Sequence, residues 1–243
     1  MKHITLTEQD IYKGDLILIN KYHLIHNYPN TTDLEAYSEA YPNILLLKKA
    51  NKFLTFTLNE IKAENDIVPV SGYRDLEEQT EIFNTSLIES GEEFTLKYVA
   101  LPNASEHQTG LAIDLGKNQG EIDFIRPAFP RTGICEEFRN TALKYGFIER
   151  YKEEKESITN ISAEEWHFRY VGYPHSKIMF DNDLCLEEYI EYLKNFTRTP
   201  LSYENYQISY MPYKGEDIEL DLGTQDQVSG NSIDGFIITR VIR

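Results

Sequence analysis

The order of apolar and polar positions predicts a set of helices and short strands with no regular alternation between them. From Leu46 to Glu64 the apolar residues Leu47, Ala50, Leu54, Leu58 and Ile61 recur at intervals of 3, 4, 4 and 3, the stripe of a helix buried on one side. Asp75, with Glu78 three residues on, opens a second helix through Leu76, Ile82, Phe83 and Leu87 that Gly91 ends. A third runs from about Glu136 to Tyr145 ahead of Gly146, and Leu186, Ile190, Leu193 and Phe196 mark the last. Between them lie strand-like runs at 16–20 (LILIN), 67–70, 111–115 (LAIDL), 147–151 (FIERY) and 165–171 (EWHFRYV). Pro69 interrupts 67–70, and proline cannot donate to a sheet ladder, so this run is expected to be short or at an edge. In 165–171, Trp166, Phe168 and Tyr170 alternate with Glu165, His167 and Arg169, leaving one face to pack and one to carry chemistry. The pattern is that of an α+β fold. Beyond Pro200 it changes to three short alternating segments, YQISYMPY, DIELDL and GFIITRVI, which predict a small β extension. Residues 1–198 are thus expected to form the main domain and 199–243 the appendage.

Charge narrows the choice of partner. Forty Asp and Glu against 24 Lys and Arg give a net charge of −16, a field that repels phosphate backbones and anionic headgroups. Nucleic acid and membrane surfaces are therefore not expected as partners, and an anionic substrate would need locally placed cations. No run of 18 apolar residues occurs, so no membrane-spanning helix is expected. The start, MKHITLTEQDIYKG, is polar where a signal peptide would be apolar, and a cytoplasmic location is expected. Cys135 and Cys185 belong to no spaced cluster and read as reduced core residues.

Two of the six histidines have company that suggests chemistry. His107 lies seven residues before Asp114, which sits in an otherwise apolar strand; an unpaired carboxylate there is costly without a cation or metal. Gly110 permits a bend returning His107 toward Asp114, and His167 lies on the face of its strand opposite the aromatics. Two imidazoles and a carboxylate with a fourth position open match a catalytic zinc. The competing reading has both histidines satisfied as ordinary polar residues and Asp114 paired with an arginine. Arg74, in the loop after Gly72, is either an oxyanion-stabilising guanidinium or a surface partner of Asp75 or Glu77.

The fuller string Ser105-x-His107-x-x-Gly110-x-Ala112-x-Asp114, followed by Glu164-x-x-His167, resembles the zinc D,D-peptidases of the VanX, VanY and VanXY type, and the VanXY group most. SGYRDLEEQ (71–79) and WHFRYVGYPHS (166–176) continue the match, which covers most of residues 16–197. The resemblance implies a small antiparallel sheet with flanking helices, one zinc ion per chain held by His107, Asp114 and His167, and Glu164 as general base and acid. It implies Arg74 beside the scissile carbonyl. Ser105 and Gln79 either bind a substrate carboxylate or cap local backbone, and Ser71 is a third candidate substrate contact. The implied activity is hydrolysis of D-Ala-D-Ala, or of the terminal D-Ala of a peptidoglycan precursor, giving vancomycin resistance. An L,D-peptidase of the same fold and a non-catalytic zinc-retaining binding protein are the alternatives. Strand alternation alone would put Glu165, not Glu164, on the face of His167, so Glu164 requires a turn or bulge just before Trp166. With zinc and Arg74 in place the site is expected to be locally electropositive, and zwitterionic D-Ala-D-Ala is the easier substrate to admit.

Overall fold

The computed structural model describes residues 1–63 and 65–242, so Glu64, the expected end of the first helix, lies outside the described residues. The chain opens with β1 (Lys2–Leu6), which the apolar pattern does not announce. Residues 16–20, expected as a strand, form a buried irregular stretch instead. Its polar backbone is satisfied from the side rather than by a ladder: Arg169 Nη2 donates to the carbonyls of Asp15 and Ile17 at 3.0 Å, and Leu16 N donates to Ser229 Oγ at 2.9 Å.

A hairpin of β2 (Leu34–Ser38) and β3 (Tyr41–Leu47) leads into α1 (Lys48–Glu60). Leu46 and Leu47, expected to open the helix, belong instead to β3, while Ala50 and Leu54 are fully buried as the stripe requires. Next come β4 (Ile67–Ser71), α2 (Leu76–Ser90) and α3 (Glu92–Tyr98). Asp75 caps α2 by accepting from Glu78 N at 2.8 Å. After β5 (Ala112–Lys117), α4 (Gly133–Ala142) continues as a 3-10 turn to Tyr145 and stops at Gly146. At a φ of 89°, Gly146 lies so near Gly172 that an added Cβ would stand 2.7 Å from its Cα. The part of the chain before the C-terminal strands ends with β6 (Phe147–Tyr151), α5 (Glu156–Thr159), β7 (Glu164–Tyr170), α6 (His175–Asp181) and α7 (Leu186–Leu193).

The central sheet is antiparallel in the order β4-β5-β7-β6. Pro69 thus sits on an edge strand. Leu54 of α1 and Phe138 of α4 belong to the same core cluster as Ile113, Phe147, Phe168 and Tyr170 from the sheet. The molecule is α+β with small antiparallel sheets, as expected.

The C-terminal segment contributes β8 (Leu201–Tyr203), β9 (Tyr206–Pro212), β10 (Ile218–Leu222), β11 (Gln227–Gly230) and β12 (Gly235–Val241). Four of these make a sheet ordered β11-β12-β9-β8, whereas β10 pairs with β1. Ile208, Tyr210 and Ile237 share a core cluster with Leu16, Leu18, Ile178 and Leu186. The extension therefore closes against both the start of the chain and the helices α6 and α7.

Candidate active site

Three strands of the central sheet bring the candidate residues into one row. Asp114 of β5 is the register partner of His167 on β7 and of Ser71 on β4, and directly opposed residues project from the same face. His107 comes from a 3-10 turn (Glu106–Thr109) that ends at Gly110, whose φ of 71° turns the chain into β5. His107 Nε2 lies 3.1 Å from Asp114 Oδ2 and His167 Nδ1 lies 2.9 Å from Asp114 Oδ1. Among the described residues these three alone form a group whose potential ligand atoms all fall within 4.8 Å of one another.

The outward-facing ring nitrogens decide whether that group fits a metal. His107 Nδ1 contacts the carbonyl oxygen of Gly72 at 2.7 Å, and His167 Nε2 contacts Glu106 Oε2 at 3.2 Å. A carbonyl or carboxylate oxygen only accepts, so both outward nitrogens carry protons. Each neutral ring then turns a lone pair toward Asp114, and three acceptors converge with no hydrogen among them. A cation resolves that convergence, and ring nitrogens tied to oxygen acceptors are how proteins orient metal-binding imidazoles. Burial lowers His167, yet hydrogen bonds to Asp114 and Glu106 raise it to about 9, while burial and Arg74 push His107 down to about 4. Despite its burial, Asp114 is held well below the usual carboxylate range by both imidazoles.

Glu164 reaches the site through an irregularity in β7. Glu149 pairs with Phe168, but Tyr151 pairs with Glu164, so between these pairs one residue on β6 faces three on β7. Glu164 consequently lines the cavity, with Oε2 3.9 Å from His167 Nδ1. Burial pushes its carboxyl up to about 8, Asp114 adding to the effect and His167 and Arg74 opposing it. Glu165 points elsewhere and is held by Arg131 at 3.1 Å, its side chain 45% exposed.

Arg74 faces inward rather than pairing with Asp75 or Glu77. Its Nη2 is 3.7 Å from Asp114 Oδ2, and its Nη1 donates to Gln79 Oε1 at 3.0 Å. Asp114 therefore meets both an arginine and two imidazoles, the two readings that its sequence position left open. Gln79, a candidate substrate contact, has its amide spent on Arg74 and on the carbonyl of Ala100 at 2.8 Å; it stands behind Arg74 as a support. Ser71 and Ser105 line the cavity, and Ser105 does not cap the turn that follows it. Trp166, expected only to pack, does both: it belongs to the core and lines the cavity.

The cavity holds about 440 Å³ and runs from this cluster along α2. The charged side chains lining it are mostly acidic: one guanidinium, Arg74, faces Glu78, Glu81, Glu89, Glu106, Asp114 and Glu164, so any net positive character would have to come from a bound metal. Carboxylates spaced along α2, Glu78, Glu81 and Glu89, add to the protein's overall charge rather than reversing it. Sequence reasoning also missed Glu106, Arg150, Arg169 and Tyr151. The available signals were the glutamate next to His107, an arginine on the chemical face of EWHFRYV, and an arginine within the apolar run FIERY.

Comparison with known proteins fits this geometry. A family model described as VanY, D-alanyl-D-alanine carboxypeptidase, matches residues 44–173. The bifunctional D-Ala-D-Ala dipeptidase and D-Ala-D-Ala carboxypeptidase VanXYC of Enterococcus gallinarum is 48% identical over 136 residues, 56% of this chain and 72% of that protein. The crystal structure of the vancomycin-resistance D,D-dipeptidase VanXYg, in complex with a D-Ala-D-Ala phosphinate analogue, superposes with a TM-score of 0.94 at 48% identity. It covers 100% of this chain and 99% of that one. A structure of the D,D-pentapeptidase VanY from a VanB-type resistance cassette, in complex with Zn(II), superposes at a TM-score of 0.58 and 29% identity over 72% of this chain and 98% of that one.

Proposed function

Because the chain belongs to the VanY family of D-alanyl-D-alanine carboxypeptidases, we propose that it is a zinc-dependent D,D-peptidase. Its substrate is D-Ala-D-Ala, with the terminal D-Ala of soluble peptidoglycan precursors as a second target, and its effect is vancomycin resistance. The observation that carries this reading is the convergence of His107 Nε2, Asp114 and His167 Nδ1 beside Glu164 and Arg74 in one cavity.

His107, Asp114 and His167 would hold one zinc ion per chain. When bound, zinc supplies Lewis acidity, which polarises a carbonyl and lets water ionise near neutral pH. Glu164 takes the proton of the attacking water and returns it to the leaving amine nitrogen. Its buried carboxyl, raised toward neutrality, suits a group that must both accept and donate. Arg74, steadied by Gln79, stabilises the negative charge that develops on the scissile carbonyl oxygen. Ser71 and Ser105 supply hydroxyls for the substrate's ends. The acidic wall of Glu78, Glu81 and Glu89 favours a substrate bearing an ammonium group, which supports the free dipeptide as the preferred one.

Catalysis is assigned to residues 1–198 and a supporting role to 199–243. The enzyme acts in the cytoplasm, where soluble precursors are made; among the described residues no helix is long and apolar enough to cross a membrane.

Turnover of D-Ala-D-Ala, a pentapeptide ending in D-Ala-D-Ala and an L,D-peptide should be measured with zinc, after chelation and after zinc is restored. Release of D-alanine from the D,D-substrates, lost on chelation and recovered with zinc, is the expected result. Activity that survives exhaustive chelation would overturn the mechanism, and turnover of the L,D-peptide alone would overturn the substrate assignment.

A further inference from the structure

We infer that Glu106 is a positioning residue for the metal centre: it fixes the tautomer and orientation of His167 and is itself held in place by Arg150 and Arg169. The inference rests on the zinc reading above and extends it to residues behind the ligands. Glu106 is fully buried, and its two oxygens have separate tasks. Oε1 accepts from Arg150 Nε at 2.8 Å and from Arg169 Nη1 at 3.0 Å, whereas Oε2 is turned to His167 Nε2 at 3.2 Å. An anion needed only to neutralise two guanidinium groups would have no reason to reserve one oxygen for an imidazole. That oxygen compels the proton of His167 onto Nε2 and leaves Nδ1 free beside Asp114.

The arginines explain why a carboxylate can stay charged there. Their side chains are at most 1% exposed, and an isolated carboxylate at that depth would abandon its charge. Arg150 also binds Glu187 on α7 at 2.7 Å, and Arg169 is clamped to the backbone of residues 15–17. Two cations and two anions thus balance, and Glu106 is fixed from three directions. A rigid acceptor of this kind orients the ring and raises its basicity as a ligand.

The test uses zinc affinity rather than turnover. Competition with a chromophoric chelator should show zinc binding by Glu106→Gln weakened by roughly 10- to 100-fold, the usual effect of removing such a support. Glu187→Gln breaks the same ion network at the end remote from His167 and should stay within about threefold of the wild type, far below that range. In zinc-loaded wild-type protein labelled with ¹⁵N-histidine, NMR should place the ring proton of His167 on Nε2; this reading stands even where Glu106→Gln does not fold. Equal zinc affinity in wild type and Glu106→Gln, equal weakening in both variants, or a His167 proton on Nδ1 would each overturn the inference while leaving the zinc reading intact. A wild-type protein that takes up no zinc would overturn that reading, and this inference with it.

Discussion

Adjacent glutamates in β7 have opposite surroundings, and that difference sets the sharpest expectation for single residues. Glu164 is buried beside the imidazole of His167, while Glu165 is half exposed and engaged with Arg131. Removing a group that moves a proton in the transition state costs about 10²- to 10⁴-fold in rate. Glu164→Gln should therefore lose that much kcat with zinc content unchanged. Glu165→Ala should stay within a few-fold in kcat and cost less than about 1 kcal/mol of stability, because it breaks only an exposed ion pair. Steady-state kinetics with metal analysis checks both, and the reverse pattern would reassign the base. A guanidinium placed against a developing oxyanion contributes about 3–4 kcal/mol, so Arg74→Ala should reduce kcat by two to three orders of magnitude. Lysine has no planar fork with which to hold Gln79 and face the site together; Arg74→Lys should recover only a small part, and full recovery would mean that charge alone is needed.

At the scale of elements, what the sequence revealed depended on whether local chemistry or distant partners decide the conformation. α2 was legible because Asp75 caps it and Gly91 ends it, both local signals. β4 was legible as an edge from Pro69 alone. The irregularity in β7 was not visible as a pattern; it followed from the need to put Glu164 beside His167, and the register shift opposite Glu149 and Tyr151 meets that need. Residues 16–20 misled because four apolar residues in a row suit a buried strand and a buried irregular stretch equally; the deciding partners, Arg169 and Ser229, lie more than 150 residues away. β1 was invisible for the same reason, since its partner β10 lies near the other end of the chain. In the site, His107, Asp114 and His167 were legible as residue types at a spacing, but Glu106 was not, because its role comes from arginines on β6 and β7. Truncation tests how far the C-terminal strands are an independent element. A chain ending at residue 198 loses Ile208, Tyr210 and Ile237, all buried against Leu16, Leu18, Ile178 and Leu186. At about 1.5–3 kcal/mol for each large side chain, the loss is comparable to the whole stability of an ordinary domain. Circular dichroism should show this chain without a cooperative transition at 25 °C, and a melting temperature near that of the full chain would show that the extension folds separately.

Across the whole molecule, a buried imidazole ties the C-terminal strands to the helices before them. His175, at the start of α6, lies 2.8 Å from Tyr189 Oη on α7 and 2.9 Å from Thr239 Oγ1 on β12. Burial, with a small contribution from Lys49, pushes its imidazole down to about 3, so the folded protein keeps the ring neutral where the unfolded chain would protonate it near 6.5. The unfolded state therefore binds more protons between those values. The stability that comes from the neutral ring is complete above about pH 6.5 and is lost as pH falls toward 3, at up to about 1.4 kcal/mol per pH unit. Replacing His175 with glutamine keeps a donor and an acceptor but removes the titration. Other groups, including the site histidines and the −16 surface, titrate equally in both proteins and cancel in the difference. The stability of wild type minus that of His175→Gln, from denaturant unfolding at pH 7.5, 6.5, 5.5 and 4.5, should be level over the first pair and decline over the rest by about 2 to 3 kcal/mol in all. A difference that stays constant down to pH 4.5 would show that the ring is already charged or solvated in the folded protein, and that the joint between α6, α7 and β12 does not depend on its neutrality.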